Sequence, residues 1–225
     1  MSLGGALRTS LHDFYFNSWR LAPANLLWGA VLILAILASP TSLIGAALLI
    51  GLAVPTAGIY RMTALIARGE PAGFSDFLDG MRHLGPAAIL LGLGAAALAF
   101  VFSTNVLVGL GAGNPVGWLM SALALWGLVG LAMLLTTAWP LLADPQREDV
   151  GLRGRLTLAG LVVIGRPGRV VLLAAVIFVA LAVSAVMFAL LAMVSIAYIA
   201  LVSCRYVLPL ADELEARLPE ARRVP

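Results

Sequence analysis

The chain has 225 residues, 62% of them hydrophobic and 11% charged, against roughly 45–50% apolar and about 25% charged in an ordinary soluble domain. A water-soluble fold of this size could not hide so much apolar side chain, so the composition indicates an integral membrane protein. All 14 basic residues are Arg and the net charge is +3; basic cytoplasmic loops account for that excess, and nucleic acid is excluded as a partner. Cys204 has no second Cys to pair with, and His12 and His83 are too few to build a metal site. No cofactor is expected.

Six all-α spans are predicted in one membrane domain covering 1–225: 21–38, 43–67, 86–108, 116–143, 170–187 and 191–211. The first is expected to be retained, because Asp13 and several aromatic residues precede it and no small-residue cleavage site follows Leu37. Within the second, Pro55 removes a hydrogen bond to the Gly51 carbonyl and predicts a kink, which Thr56 can partly repair. The third ends at a glycine-rich turn over 109–115 and carries Ser103, Thr104 and Asn105; the fourth stops at Asp144-Pro145. Residues 170–211 contain one charge, Arg205. As one helix they would reach about 63 Å, roughly twice the hydrocarbon core, so they fold back somewhere near 184–194.

This count leaves the segments 1–20, 68–85, 144–169 and 212–225 on one side, with all 14 Arg and all 11 acidic residues on that side or at its edge. The positive-inside rule makes that face cytoplasmic, with both termini inside the plasma membrane. Asp13-Phe14, Leu21 and Pro23 align with Asp76-Phe77, Leu84 and Pro86, seven of seventeen positions being identical between 13–29 and 76–92. A fainter third copy runs through Leu156 and Gly165-Arg-Pro167-Gly. The expected architecture is three parallel-repeated helical hairpins, each preceded by a short cytoplasmic amphipathic helix and a breaker.

No carboxylate lies inside a span, and no nucleophile has a base beside it, so the chain is not expected to be an enzyme. Arg61 and Arg205 each sit seven residues before the next charge (Arg68 and Asp212), near the cytoplasmic ends of spans two and six. They either snorkel to the headgroups or face inward, where they pair with Asp76 or Asp79 or grip an anionic headgroup or phosphorylated ligand. Pro55, Thr56 and Asn105 are the candidate kink or cavity.

Asn25-Leu-Leu-Trp28, Pro55-Thr-Ala-Gly-Ile-Tyr60, Arg68-Gly-Glu-Pro71 and the run Phe74-Ser-Asp-Phe77-Leu-Asp-Gly80-Met-Arg82 resemble the YesL-like family of bacterial integral membrane proteins. The resemblance extends over essentially the whole chain and marks Asn25, Trp28, Tyr60, Phe77, Gly80 and Arg82 as motif residues. It implies a carbohydrate-uptake context and no catalytic residues. The expected role is a transport-related accessory that binds permease subunits, with the lipid bilayer and a second copy of the chain as further partners. An autonomous small transporter or channel is the alternative, and an interfacial lipid- or phosphate-binding membrane enzyme the third.

Overall fold

A computed structural model describes residues 2–38, 42–187 and 194–221. Those residues are helical almost throughout: α1 (Leu3–Leu37), α2 (Leu43–Gly51), α3 (Ala53–Arg68), α4 (Phe74–Gly111), α5 (Pro115–Ala143), a 3-10 turn (Pro145–Arg147), α6 (Leu152–Gly165), α7 (Pro167–Val186) and α8 (Ile196–Ala221). Five stretches among them are long and apolar enough to cross a membrane: Leu3–Leu37, Leu43–Arg68, Phe74–Gly111, Pro115–Ala143 and Pro167–Val186. Part of the expected sixth span, and the turn placed before it, fall on 188–193 and lie outside the described residues.

Local chemistry explains the boundaries. Pro55 cannot donate to Gly51, and the helix is interrupted at Leu52, where α2 gives way to α3. The Thr56 amide and hydroxyl both donate to the Leu52 carbonyl, at 3.1 and 2.7 Å. Gly69 takes the left-handed conformation that closes α3, and the Glu70 amide reaches back to the Leu65 carbonyl at 2.9 Å. The Asn114 side chain caps α5 through the Gly117 amide at 2.8 Å, while Pro145 follows its last turn.

Two expected breaks are absent. Pro23 lies inside α1 and Pro86 inside α4, so the predicted short lead helices of the first two repeats are continuous with their spans. A single proline removes one bond of the helical ladder, and its neighbours still hold the turn. Only the third lead segment is separate, as α6, with the chain leaving helical geometry at Arg166. The continuous α1 is nevertheless bent. The Asn25 side chain accepts from the Ala197 amide at 2.8 Å, and the Leu7 carbonyl meets the Tyr198 hydroxyl at 3.4 Å, although 18 residues of straight helix span about 27 Å.

The returning helices α3, α5 and α8 contact one another pairwise and form the centre, with α1, α4, α6 and α7 outside them. Burial is uneven along the bundle. The core draws on 53–66, 131–143 and 197–211, near the charged end. Between residues 92 and 120 only Gly109 and Gly117 are buried, so the far half of the α4–α5 hairpin packs against little but itself.

Candidate functional site

The charged ends of the three returning helices converge. Arg68, in the last turn of α3, donates to the Asp144 carboxylate at 3.2 and 2.7 Å and to Asp212 of α8 at 2.5 and 3.0 Å. Arg147 reaches the same Asp144, Asp212 at 2.7 Å, and Glu215 at 3.3 and 2.6 Å. Asp144 is fully buried directly after α5, where it also accepts from the Gln146 amide at 3.3 Å. Burial alone would raise the Asp212 carboxyl, but hydrogen bonds from Arg68 and Arg147 outweigh it and hold the group below its usual range. The network ties α3, α5 and α8 together through charge-assisted bonds.

Arg61 and Arg205 face the protein and find other partners than Asp76 and Asp79. Arg61 pairs with Glu148 and donates to the Ala143 carbonyl at 3.4 Å; Arg205 binds Asp13 and donates to the Ile66 and Ala67 carbonyls, each at 3.3 Å. Each thus places a guanidinium on the carbonyl end of a neighbouring returning helix, Arg61 on α5 and Arg205 on α3. Positive charge is favourable there, and the last carbonyls have no partner within their own helix. Arg155 of α6 does the same, donating to the carbonyls of Leu142, Val150 and Glu148. Burial pulls the Arg155 guanidinium below its usual pKa, against the opposing pull of Glu148 and Asp144. Arg155, Arg147, Asp144, Glu148 and Asp13 are not among the site residues that the sequence singles out. Their one legible signal was the density of Arg over 147–155 beside a helix stop.

Asp76 is a helix cap: its carboxylate accepts from the Gly73 amide at 2.7 Å. Asp79 is exposed and has no ion-pair partner among the described residues. It lines a cavity of about 330 Å³ with Arg61, Gly80, His83, Glu148 and Arg155.

No family model, curated protein or solved structure matches the chain. Geometry therefore carries the functional reading.

The motif residues divide into packing and hydrogen bonding. A methyl group on Gly58 would lie 2.6 Å from the Phe77 carbonyl, and one on Gly80 would lie 2.7 Å from Arg61 Cβ, so these glycines set how closely α3 and α4 approach. Phe77 is fully buried in that seam, and Tyr60 stacks on Trp139 with ring centroids 5.8 Å apart. Trp28 Nε1 donates to Thr56 Oγ1 at 2.9 Å, so the hydroxyl that repairs the proline break also fixes α1. Arg82 is exposed. Cys204 is buried with the Thr63 hydroxyl 3.5 Å from its sulfur, a packing position.

Of the candidate cavity residues, Thr56 lines a groove of about 280 Å³ with Tyr60, Thr136, Trp139 and residues of α7 and α8. Pro55 is buried behind it, and Asn105 is elsewhere. Gly92 of α4 meets Ala53, and Asn105 lies 13 residues, about 20 Å, further along the helix. Among the described residues Asn105 thus stands apart from the groove at Thr56.

Proposed function

We propose that the chain is a six-span bacterial plasma-membrane protein, with both termini cytoplasmic and three related hairpins, that serves as a transport-related accessory by binding other transmembrane helices. The resemblance to YesL-like proteins gives carbohydrate-transporter permease subunits as the partners. The observation that carries the accessory role is the far half of the α4–α5 hairpin, an apolar arm exposing Leu98, Phe100, Trp118 and Trp126 beyond the packed end. A bundle closed at one end by ion pairs and open at the other in apolar side chains is suited to holding neighbours rather than conducting solute. Six spans are supported by the confinement of charge to one side, and the hairpin relationship by the convergence of α3, α5 and α8 at equivalent ends. Photocross-linkers placed at Trp118 and Trp126 in native membranes should capture permease subunits. Adducts confined to lipid would refute the reading.

A second reading, an autonomous small transporter, is favoured by the groove at Thr56, Tyr60, Thr136 and Trp139 beside the helix break at Leu52. It requires sugar flux in proteoliposomes that Thr136→Leu abolishes.

A further inference from the structure

The polar cavity described above does not end at its charged lining. Further along α4 and α6, and now against α5, an apolar groove of about 190 Å³ is formed by Leu90, Gly94 and Leu98 of α4, Leu131 and Leu135 of α5, and Leu156 of α6. The two share α4 in register: Asp79, His83 and Leu84 line the cavity, and Leu90 begins the groove less than two turns later. They share α6 as well, where Arg155 faces the cavity and the adjacent Leu156 the groove. From Leu84 to Leu98 is 14 residues, about 21 Å of helix, which exceeds the roughly 15 Å depth of one leaflet. Polar cavity and apolar groove thus lie in succession along α4 and α6, and taken end to end they make an amphipathic channel, charged at one end and apolar at the other.

Charge within the cavity is divided. Arg61 of α3 and Arg155 of α6 both line it, and each has donors to spare: a guanidinium carries five, of which Arg61 directs two and Arg155 three at acceptors among the described residues. Among the described residues Arg155 has no carboxylate partner, its bonds going to carbonyls. On α4, Asp79 is an exposed carboxylate without an ion pair among the described residues, one turn from His83. Two guanidiniums and two carboxylates (Asp79 and Glu148) sum to zero, so the cavity complements a ligand that itself carries both signs. We propose that this channel is a binding site for a zwitterionic glycerophospholipid, its phosphate on the spare donors of Arg61 and Arg155, its ammonium on Asp79, and an acyl chain along Leu90 to Leu98.

This site stands whether or not the chain serves a permease. Gly94 gives a clean perturbation, because a Cβ placed there has no heavy atom within 4 Å, so a larger side chain starts out into the groove that Gly94 lines. The full-length protein is incubated in mild detergent with equimolar phosphatidylethanolamine and phosphatidylglycerol of identical chains, and retained lipid is counted by native mass spectrometry. The unaltered protein should retain one phosphatidylethanolamine with about tenfold preference. Gly94→Leu should lower retention of both lipids about tenfold, and Asp79→Asn should erase the preference while retention persists. Resistance of Cys204 to maleimide in each variant verifies folding, since that thiol is buried. Equal retention of the two lipids by the unaltered protein would overturn the assignment. So would indifference to Gly94→Leu in folded protein, or full displacement by free O-phosphoethanolamine at lipid-equivalent concentration, which would mark a soluble headgroup ligand.

Discussion

Asp144→Asn tests the idea that one buried carboxylate locks the charged end of the bundle. The substitution keeps size and shape and leaves an oxygen to accept from the Gln146 amide, but it removes the charge that meets Arg68 twice and Arg147 once. Breaking a fully buried ion pair by removing one partner costs about 3–5 kcal/mol. Here both guanidiniums keep Asp212, and Arg147 keeps Glu215, so the expected loss sits at the lower end, about 3 kcal/mol. For a chain of this length that corresponds to a fall in Tm of roughly 6–12 °C. The protein supplies its own reporter: Cys204 is the single cysteine and is buried, so a thiol-reactive fluorophore reads unfolding directly in detergent. Asp149→Asn, at an exposed carboxylate outside the network, should shift the midpoint by less than about 2 °C. Equal midpoints for Asp144→Asn and Asp149→Asn would show that the network contributes no more than exposed charge and would defeat the reasoning.

Three further outcomes follow from the geometry. Because the Asp212 carboxyl is held below its ordinary 3.8, its stabilising contribution is complete above that value and lost as pH falls through the lowered one; unfolding followed by tryptophan fluorescence should show an acid limb below about pH 4 that Asp212→Asn flattens. Gly58→Ala should destabilise by about 1–3 kcal/mol through the clash with the Phe77 carbonyl, whereas Gly94→Ala, in open space, should be neutral or stabilising by about 0.5–1 kcal/mol; thermal midpoints of the two variants should move apart. Trp28→Phe removes the donor to Thr56 while keeping an aromatic ring, and should cost about 1 kcal/mol, an effect that disappears in a Thr56→Val background if the hydrogen bond is its source.

The helical class with five long apolar segments, the stop at Asp144-Pro145 and the break ahead of Pro55 were legible because each depends on neighbouring residues in the chain. Pro23 and Pro86 read as breakers by the same rule, yet each is absorbed within a continuous helix. The rule states which bond is lost and leaves open whether the surrounding turns persist. Side-chain partners were harder still. Arg61 pairs across 87 residues and Arg205 across 192, and such choices follow from the lateral order in which helices pack. Local pattern carries no record of that order, so the nearby acids Asp76 and Asp79 looked like partners and were not. Gly58 and Gly80 were quoted as motif letters, and their physical role, permitting α3 and α4 to touch backbone to side chain, needed the packed pair to be seen.

The uneven packing along the bundle has a physical origin in the bilayer. Hydrocarbon gives little hydrophobic drive for one apolar helix to prefer another, so association depends on close approach at small residues and on polar contacts. Both are concentrated toward the charged end: Gly58 and Gly80 between α3 and α4, the carbonyl contacts of Arg61, Arg155 and Arg205, and the Arg68–Asp144–Arg147–Asp212 network. At the far end of the α4–α5 hairpin, the comparable device is the approach of Gly109 to Gly117 with Ser121 Oγ donating to the Val106 carbonyl at 2.9 Å. That contact fastens two helices to each other and to nothing else. The same features that close one end of the molecule therefore leave the other without an internal reason to close, and its apolar faces are free for whatever shares the membrane, lipid or protein.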